Sequence, residues 1–155
     1  MNSEPHSILL ADDDDDDAML LRMVFGKVRL VQRLQRVKDG VEAIQYLGGD
    51  GIYADRKRYP FPSLLLLDLK MPRRNGFEVL EWLRMNPPLR GLIVTVLTAS
   101  KDDADIRRAY SLCANSYLVK PATLEQLEKM SLAIKDYWVE MNEHPPCPVA
   151  EAQMS

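Results

Sequence analysis

The chain has 155 residues, 46% of them hydrophobic, and a formal net charge of −3. That length suits one domain with one core, the apolar content excludes global disorder, and the mild charge argues against a nucleic-acid surface. No apolar run approaches the ~20 residues that cross a bilayer, and Met1-Asn2-Ser3-Glu4-Pro5-His6 lacks the basic and apolar regions of a signal peptide, so no membrane partner and a cytoplasmic location are expected.

In chain order, residues 1–6 read as an extension and Ser7–Ala11 as a first, buried strand. Six consecutive aspartates follow, Asp12 to Asp17. Like charges packed this tightly repel, and a folded protein that keeps them together gives them a cation or a helix N-terminus. A helix over Asp15–Lys27 carries Met19, Leu20, Met23 and Val24. Val31–Val37 alternates apolar and polar residues as an edge strand does. Asp39-Gly40 leads into a short helix, Val41–Leu47, and Gly48–Pro62 is a long loop. Leucine is not a strong strand former, but Pro60, Pro62 and Pro72 around Leu64–Leu67 favour a short strand over a helix.

Gly76–Met85 follows as a helix with Phe77, Leu80 and Leu83 on one face. Leu92–Leu97 is the fourth strand, and Asp102–Leu112 a helix with Ile106, Ala109 and Tyr110. Ser116–Val119 is the fifth strand. The last helix, Thr123–Met141, bears the stripe Leu124, Leu127, Met130, Ile134 and Trp138, with Thr123 and Gln126 as a capping box. The ordered domain thus covers 7–141, and the proline-containing tail 142–155 is expected to be unstructured. The two cysteines have no metal-ligand spacing: Cys113 reads as a buried small residue and Cys147 as an exposed tail thiol.

Strands and helices alternate five times, which argues for an α/β fold, a doubly wound parallel sheet with helices on both faces. In such sheets chemistry gathers at the carboxyl ends of the strands. Asp12 and Asp13 follow the first strand and Asp68 the third. Thr98, Ala99 and Ser100 end the fourth, and Lys120-Pro121 the fifth. Carboxylates are hard ligands suited to Mg²⁺, and a carboxylate can attack phosphorus to give an acyl phosphate. A metal ion, a lysine and a hydroxyl each stabilise the charge that develops. Asp68, alone at its strand end, suits the nucleophile; Asp12 and Asp13, together, suit a metal platform.

These residues carry a resemblance. Leu67-Asp68-Leu69-Lys70-Met71-Pro72, with Gly76 eight residues after the aspartate, resembles the phosphoacceptor signature of response-regulator receiver domains, the CheY-like family. Ala11-Asp12-Asp13 resembles its acidic pair, Leu97-Thr98-Ala99 its switch threonine, and Tyr117 before Lys120-Pro121 its switch aromatic and lysine. The resemblance spans roughly Ser7 to Tyr137. The loop around Gly51-Ile52-Tyr53-Ala54, the Ala114-Asn115-Ser116-Tyr117 turn and Tyr137-Trp138 further resemble a stand-alone subgroup whose better-known members pair with phytochrome-type histidine kinases in cyanobacteria.

The resemblance implies a flavodoxin-like (βα)5 sheet of strand order 2-1-3-4-5 and a single-domain response regulator of a two-component phosphorelay, a binding module and not an enzyme. Asp68 would accept a phosphoryl group from a sensor histidine kinase. Asp13, Asp68 and the backbone carbonyl of Lys70 would hold Mg²⁺, with Asp12 reaching it through water. Thr98 and Lys120 would grip the phosphoryl oxygens, and inward movement of Thr98 would let Tyr117 rotate. Asp14 then bridges strand to helix, Asp15 or Asp16 caps the first helix, and Asp17 sits in its first turn, where the dipole favours anions. The face of the fourth helix, fifth strand and fifth helix would change its partner affinity, and the apolar stripe of the last helix suits a homodimer there.

Lys70 and Ser100 stand where the family varies, and are expected to tune how water reaches the acyl phosphate; the Lys70 ammonium could lean toward the site. Cys113 stands where glycine is common after the fourth helix, so the turn is expected to differ there. Two other classes use similar residues. A haloacid-dehalogenase-type phosphatase also has a strand-end aspartate with Mg²⁺, but needs a second aspartate where this chain has Lys70. A degenerate receiver acting as a scaffold would have lost part of the set Asp13, Asp68, Thr98 and Lys120, which is intact.

Overall fold

The computed structural model describes residues 6–30, 34–146 and Pro148. Its strands are β1 (Ile8–Ala11), β2 (Leu34–Val37), β3 (Leu64–Leu67), β4 (Ile93–Thr98) and β5 (Ser116–Val119). A helix follows each: α1 (Asp15–Lys27), α2 (Gly40–Gly48), α3 (Gly76–Arg84), α4 (Asp103–Ser111) and α5 (Leu124–Ile134). All strand pairs are parallel and the order is β2-β1-β3-β4-β5. This is the doubly wound sheet expected, with the strand order that the resemblance implies. Residues 31–33 of the expected second strand lie outside the described residues.

The three central strands β1, β3 and β4 are buried on both faces, so they carry two cores at a period of two residues. Ile8, Leu10, Leu64, Leu66, Ile93 and Leu97 meet Ala18, Leu21 and Phe25 of α1 and Ile134 of α5. Leu9, Ala11, Leu65, Leu67 and Val94 meet α2 and α3 on the other face. The four leucines of β3 are each 0–1% exposed. Packing between two helix layers therefore overrides their weak strand propensity.

On α1, Val24 is buried as expected, but Met19, Leu20 and Met23 are exposed; the face that packs is Ala18, Leu21, Val24 and Phe25. Phe25 is large enough to fix that rotation of the helix. The last helix does reach Met141, but over Lys135–Met141 it widens into π-helical turns. Of the tail, Asn142 donates its N–H to the Tyr137 carbonyl at 2.8 Å, and the rings of His6 and His144 lie 4.2 Å apart. Cys147 lies outside the described residues.

The long loop between α2 and β3 is tied down by Arg56. Its guanidinium donates to the carbonyls of Tyr46 and Leu47 at 2.8 and 3.1 Å, at the C-terminal end of α2, where the dipole favours a cation. The Tyr46 hydroxyl donates to the Pro60 carbonyl at 2.9 Å, and burial pushes its phenol up to about 12.

Cys113 corrects two expectations. It is exposed, not buried, and it adopts φ +63°, the left-handed conformation that glycine would take. Its N–H donates to the Tyr110 carbonyl at 2.9 Å and that of Ala114 to Ala109 at 3.0 Å, the paired bonds of a Schellman motif closing α4. The Arg84 guanidinium locks the turn by donating to the carbonyls of Leu112 and Cys113 at 2.7 and 3.1 Å. A side chain with a Cβ is strained there. Cys113→Gly should therefore raise unfolding stability by about 0.5–1 kcal/mol, read as a higher urea midpoint at unchanged slope; a lower midpoint would show that the thiol contributes packing that offsets the strain.

Candidate functional site

Three backbone hydrogen bonds build the site. Each continues the parallel ladder one residue past the end of a strand. Asp12 N–H donates to the Val37 carbonyl at 3.1 Å, Asp68 N–H to Ala11 at 3.0 Å and Lys120 N–H to Thr98 at 2.8 Å. Asp12, Asp68, Thr98 and Lys120 are thereby aligned along one edge of the sheet. Gly76 completes the floor. A Cβ there would press on the Asp68 carbonyl oxygen and come within 2.8 Å of the Leu69 Cα, so the glycine is what lets α3 start so close beneath the end of β3. Asn75 and Glu78 open α3 with a reciprocal capping box.

Lys120 is the hub. Its Nζ lies 2.9 Å from Asp12 Oδ2, 2.8 Å from Asp17 Oδ2 and 2.9 Å from Asp68 Oδ2. The other oxygen of Asp68, Oδ1, accepts from the Thr98 hydroxyl at 2.8 Å and from the Lys70 N–H at 3.2 Å. Asp12 and Asp68 are 2% and 6% exposed, while Asp13 is exposed. Burial raises the Asp12 carboxyl above the ordinary value and the Asp68 charge adds to this; the Asp14 N–H and Lys120 oppose it. For Lys120, desolvation alone would lower the ammonium. Hydrogen bonds to Asp17, Asp12 and Asp68 outweigh it and hold the group well above its ordinary value.

The six aspartates divide differently from the expectation. Asp14, not Asp15 or Asp16, caps α1: its Oδ1 accepts from the N–H of Asp16 and Asp17 at 2.9 and 3.0 Å. The strand-to-helix turn is one residue shorter than expected, because Asp12 Oδ1 accepts from Asp14 N–H at 2.9 Å and tightens it. Asp15 pairs with Arg36 at 2.8 Å, and the same guanidinium donates to the Asp12 carbonyl at 3.0 Å. The Arg36 hydrogen bond to Asp15 itself, with Lys38 nearby, holds the Asp15 carboxyl below the usual range. Sequence reasoning did not find Arg36 or the site role of Asp17. The alternation of β2 could have placed Arg36 on the edge beside β1, and helix geometry brings the third residue of α1 back over the sheet end.

Thr98 already faces Asp68 in this structure. The Tyr117 hydroxyl donates to the Ser100 carbonyl at 3.0 Å, and its ring packs beside Leu69, Phe77, Val96 and Ala109. Burial raises the Tyr117 phenol. Ser100 turns its hydroxyl toward α4, donating to Asp105 Oδ2 at 2.6 Å and accepting from the Asp102 N–H at 3.3 Å. The Lys70 side chain is exposed and makes no ion pair among the described residues, so what it offers Asp68 here is its backbone N–H. Asp12, Asp13 and Asp68 each offer a carboxylate oxygen, all within 4.8 Å of one another. Three hard, anionic donors at this spacing fit a small divalent cation, which would relieve their mutual repulsion.

The family model for the response regulator receiver domain matches residues 8–131. A probable methanogenesis regulatory protein, FilR2 of Methanothrix harundinacea, is 37% identical over 147 residues, spanning 92% of this chain and 89% of its own. Response regulator Rcp1 of Synechocystis is 35% identical over 139 residues, spanning 90% and 92%; the crystal structure of its Mn²⁺-bound form aligns with a TM-score of 0.81 over 92% of this chain and 100% of that one. The phosphorylated cyanobacterial phytochrome response regulator RcpA aligns with a TM-score of 0.84 at 32% identity, over 92% and 100%.

A cation bound among these carboxylates stabilises the folded state by mass action. At 100 times its dissociation constant, Mg²⁺ should add about 2.7 kcal/mol, a rise of about 5–10 °C in melting temperature for a domain of this size. Asp13→Ala should abolish that rise in a thermal melt, since it removes a ligand without exposing core. A rise equal to that of the parent chain would exclude Asp13 as a ligand.

Proposed function

The chain belongs to the response regulator receiver domain family, and from that premise we propose that Asp68 is its phosphoacceptor, charged by a sensor histidine kinase with Mg²⁺ bound among Asp12, Asp13 and Asp68. The observation that carries the reading is the paired grip on Asp68: the Thr98 hydroxyl on one oxygen and the Lys120 ammonium on the other, at 2.8 and 2.9 Å.

An Asp68 oxygen attacks the phosphorus of a phosphohistidine. The new O–P bond forms as the N–P bond breaks, and the electron pair leaves with the imidazole nitrogen, which takes a proton from water. Charge then grows on the equatorial oxygens, where Thr98 and Lys120 are placed to donate. Bound Mg²⁺ supplies charge neutralisation at the same oxygens, and the residues that would hold it are Asp13, Asp68 and the Lys70 backbone carbonyl, with Asp12 in support. The chain assists both its own phosphorylation and its own dephosphorylation, and water reaches the acyl phosphate past Lys70, whose side chain is exposed.

The resemblance to Rcp1 and to the phytochrome response regulator RcpA supports a phytochrome-type kinase as the donor. Among the described residues no helix is long and apolar enough to cross a membrane, and a cytoplasmic location accords with such a partner. The output face is α4, β5 and α5. Every residue of β5 is only half-buried, and an apolar groove between β5 and α5 is lined by Leu118, Met130, Ile134, Tyr137 and Trp138. This face supports a homodimer, with no nucleic acid bound.

With Mg²⁺ and beryllofluoride or a small phosphoryl donor, mass spectrometry should find an adduct at Asp68 in the parent chain and none in Asp68→Asn. Lys120→Met should slow its formation by about 100-fold or more. Rapid turnover of many phosphomonoesters would replace the reading with a phosphatase. Light scattering should show dimers that strengthen with the phosphoryl mimic; a monomer at high concentration in both states would remove the homodimer.

A further inference from the structure

We propose that Asp17 is a positioning residue for phosphoryl transfer: with Asp12 it clamps the Lys120 ammonium so that the remaining N–H stays aimed at the acceptor carboxylate. The inference rests on Asp68 being the phosphoacceptor.

An ammonium has three N–H donors and no acceptor. Lys120 donates hydrogen bonds to Asp17, in the first turn of α1, and to Asp68, at the end of β3, and its ammonium is also ion-paired with Asp12 at the end of β1. Only the Asp68 oxygen changes chemically when an acyl phosphate forms. The N–H held by Asp68 can then pass to a phosphoryl oxygen, while Asp17 keeps its hydrogen bond and Asp12 its ion pair. A lysine on a flexible four-carbon stem is thus ordered before the reaction, and its immobilisation is not charged to the transition state.

Both anchors are themselves fixed. Asp12 Oδ1 is held by Asp14 N–H, and the Asp17 backbone N–H is held by the Asp14 side chain. A first-turn aspartate needs no such contact to favour the helix dipole. Asp15 and Asp16 occupy the same turn and neither pairs with Lys120; of the three, only Asp17 turns its carboxylate onto the lysine. Asp17 also stands outside the cluster Asp12, Asp13 and Asp68 that fits a cation. Its place is therefore on the lysine side of the site, opposite the metal side.

The test measures the rate of Asp68 adduct formation from a small phosphoryl donor at saturating Mg²⁺, with Mg²⁺ affinity read by calorimetry. The Asp17 side chain is 42% exposed, so screening limits the effect, and Asp17→Ala should slow the rate by about threefold to tenfold. Asp17→Asn, which can still accept a hydrogen bond, should recover part of the loss. In a Lys120→Met background, Asp17→Ala should add no further slowing, a coupling that a merely structural role for Asp17 would not produce. A parental or faster rate in Asp17→Ala, equal slowing in both backgrounds, or loss of Mg²⁺ affinity would each overturn the proposal. A parent chain that forms no adduct at Asp68 would overturn the phosphoacceptor reading as well, before any substitution is compared.

Discussion

One ammonium among carboxylates is the interaction on which this site depends. Asp12, Asp13, Asp17 and Asp68 gather at a single sheet edge, two of them buried. Burial alone would drive such groups to neutralise. Lys120 reaches three of the four at 2.8–2.9 Å, which lets a dense anionic cluster exist within a folded chain. The charge is not balanced, however. Among the described residues a single cation, Lys120, pairs with these carboxylates, and the excess falls at Asp12, Asp13 and Asp68, where a divalent ion fits. On the proposed role of Asp68, the same excess would make phosphoryl transfer depend on a bound divalent ion.

The fold supplies this edge by topology. The chain leaves β1 toward β2 and returns past it to β3, so the carboxyl ends of β1 and β3 lie side by side at the switch point. Parallel pairing keeps the ladder running beyond each strand, and Asp12, Asp68 and Lys120 are each the next residue on it. Their positions are thus set by the same hydrogen bonds that hold the sheet, with two apolar layers packed above and below. A loop could carry the same residues, but not with the rigidity that phosphoryl transfer requires.

The parts of this arrangement legible in the sequence are those encoded by periodicity and strand ends. Four apolar runs and one alternating segment led to the sheet, and the single Asp68 after Leu64–Leu67, with its spacing to Gly76, pointed to this end of it. What escaped was decided by side-chain direction. Met19, Leu20 and Met23 carry the apolar pattern of α1 in the sequence, yet Phe25 and Leu21 set the rotation of the helix and those three are exposed. Within the aspartate run every residue has the same chemistry, so only the geometry of the turn separates the cap, Asp14, from the lysine partner, Asp17. Cys113 misled for a related reason: composition favours burial of cysteine, but the Schellman turn requires a left-handed residue at that position, and the thiol is carried outward with it.

The same contacts connect the acceptor to the far side of the sheet. Thr98 bonds Asp68 through its side chain and Lys120 through its backbone carbonyl, so both groups that grip Asp68 meet at the β4–β5 junction. Two residues beyond Thr98, the Ser100 carbonyl takes the Tyr117 hydroxyl while the Ser100 side chain is bound to Asp105 of α4. A displacement of Thr98 therefore pulls directly on the loop that anchors both Tyr117 and the first turn of α4. Phe77 ties the other side: its ring packs with Ala109 and Tyr117 and sits 4.2 Å beneath the Arg108 guanidinium. β5 is half-buried along its whole length and α4 buries Ala109 alone. This side of the domain is loosely packed, which leaves it room to respond to a small change at Asp68.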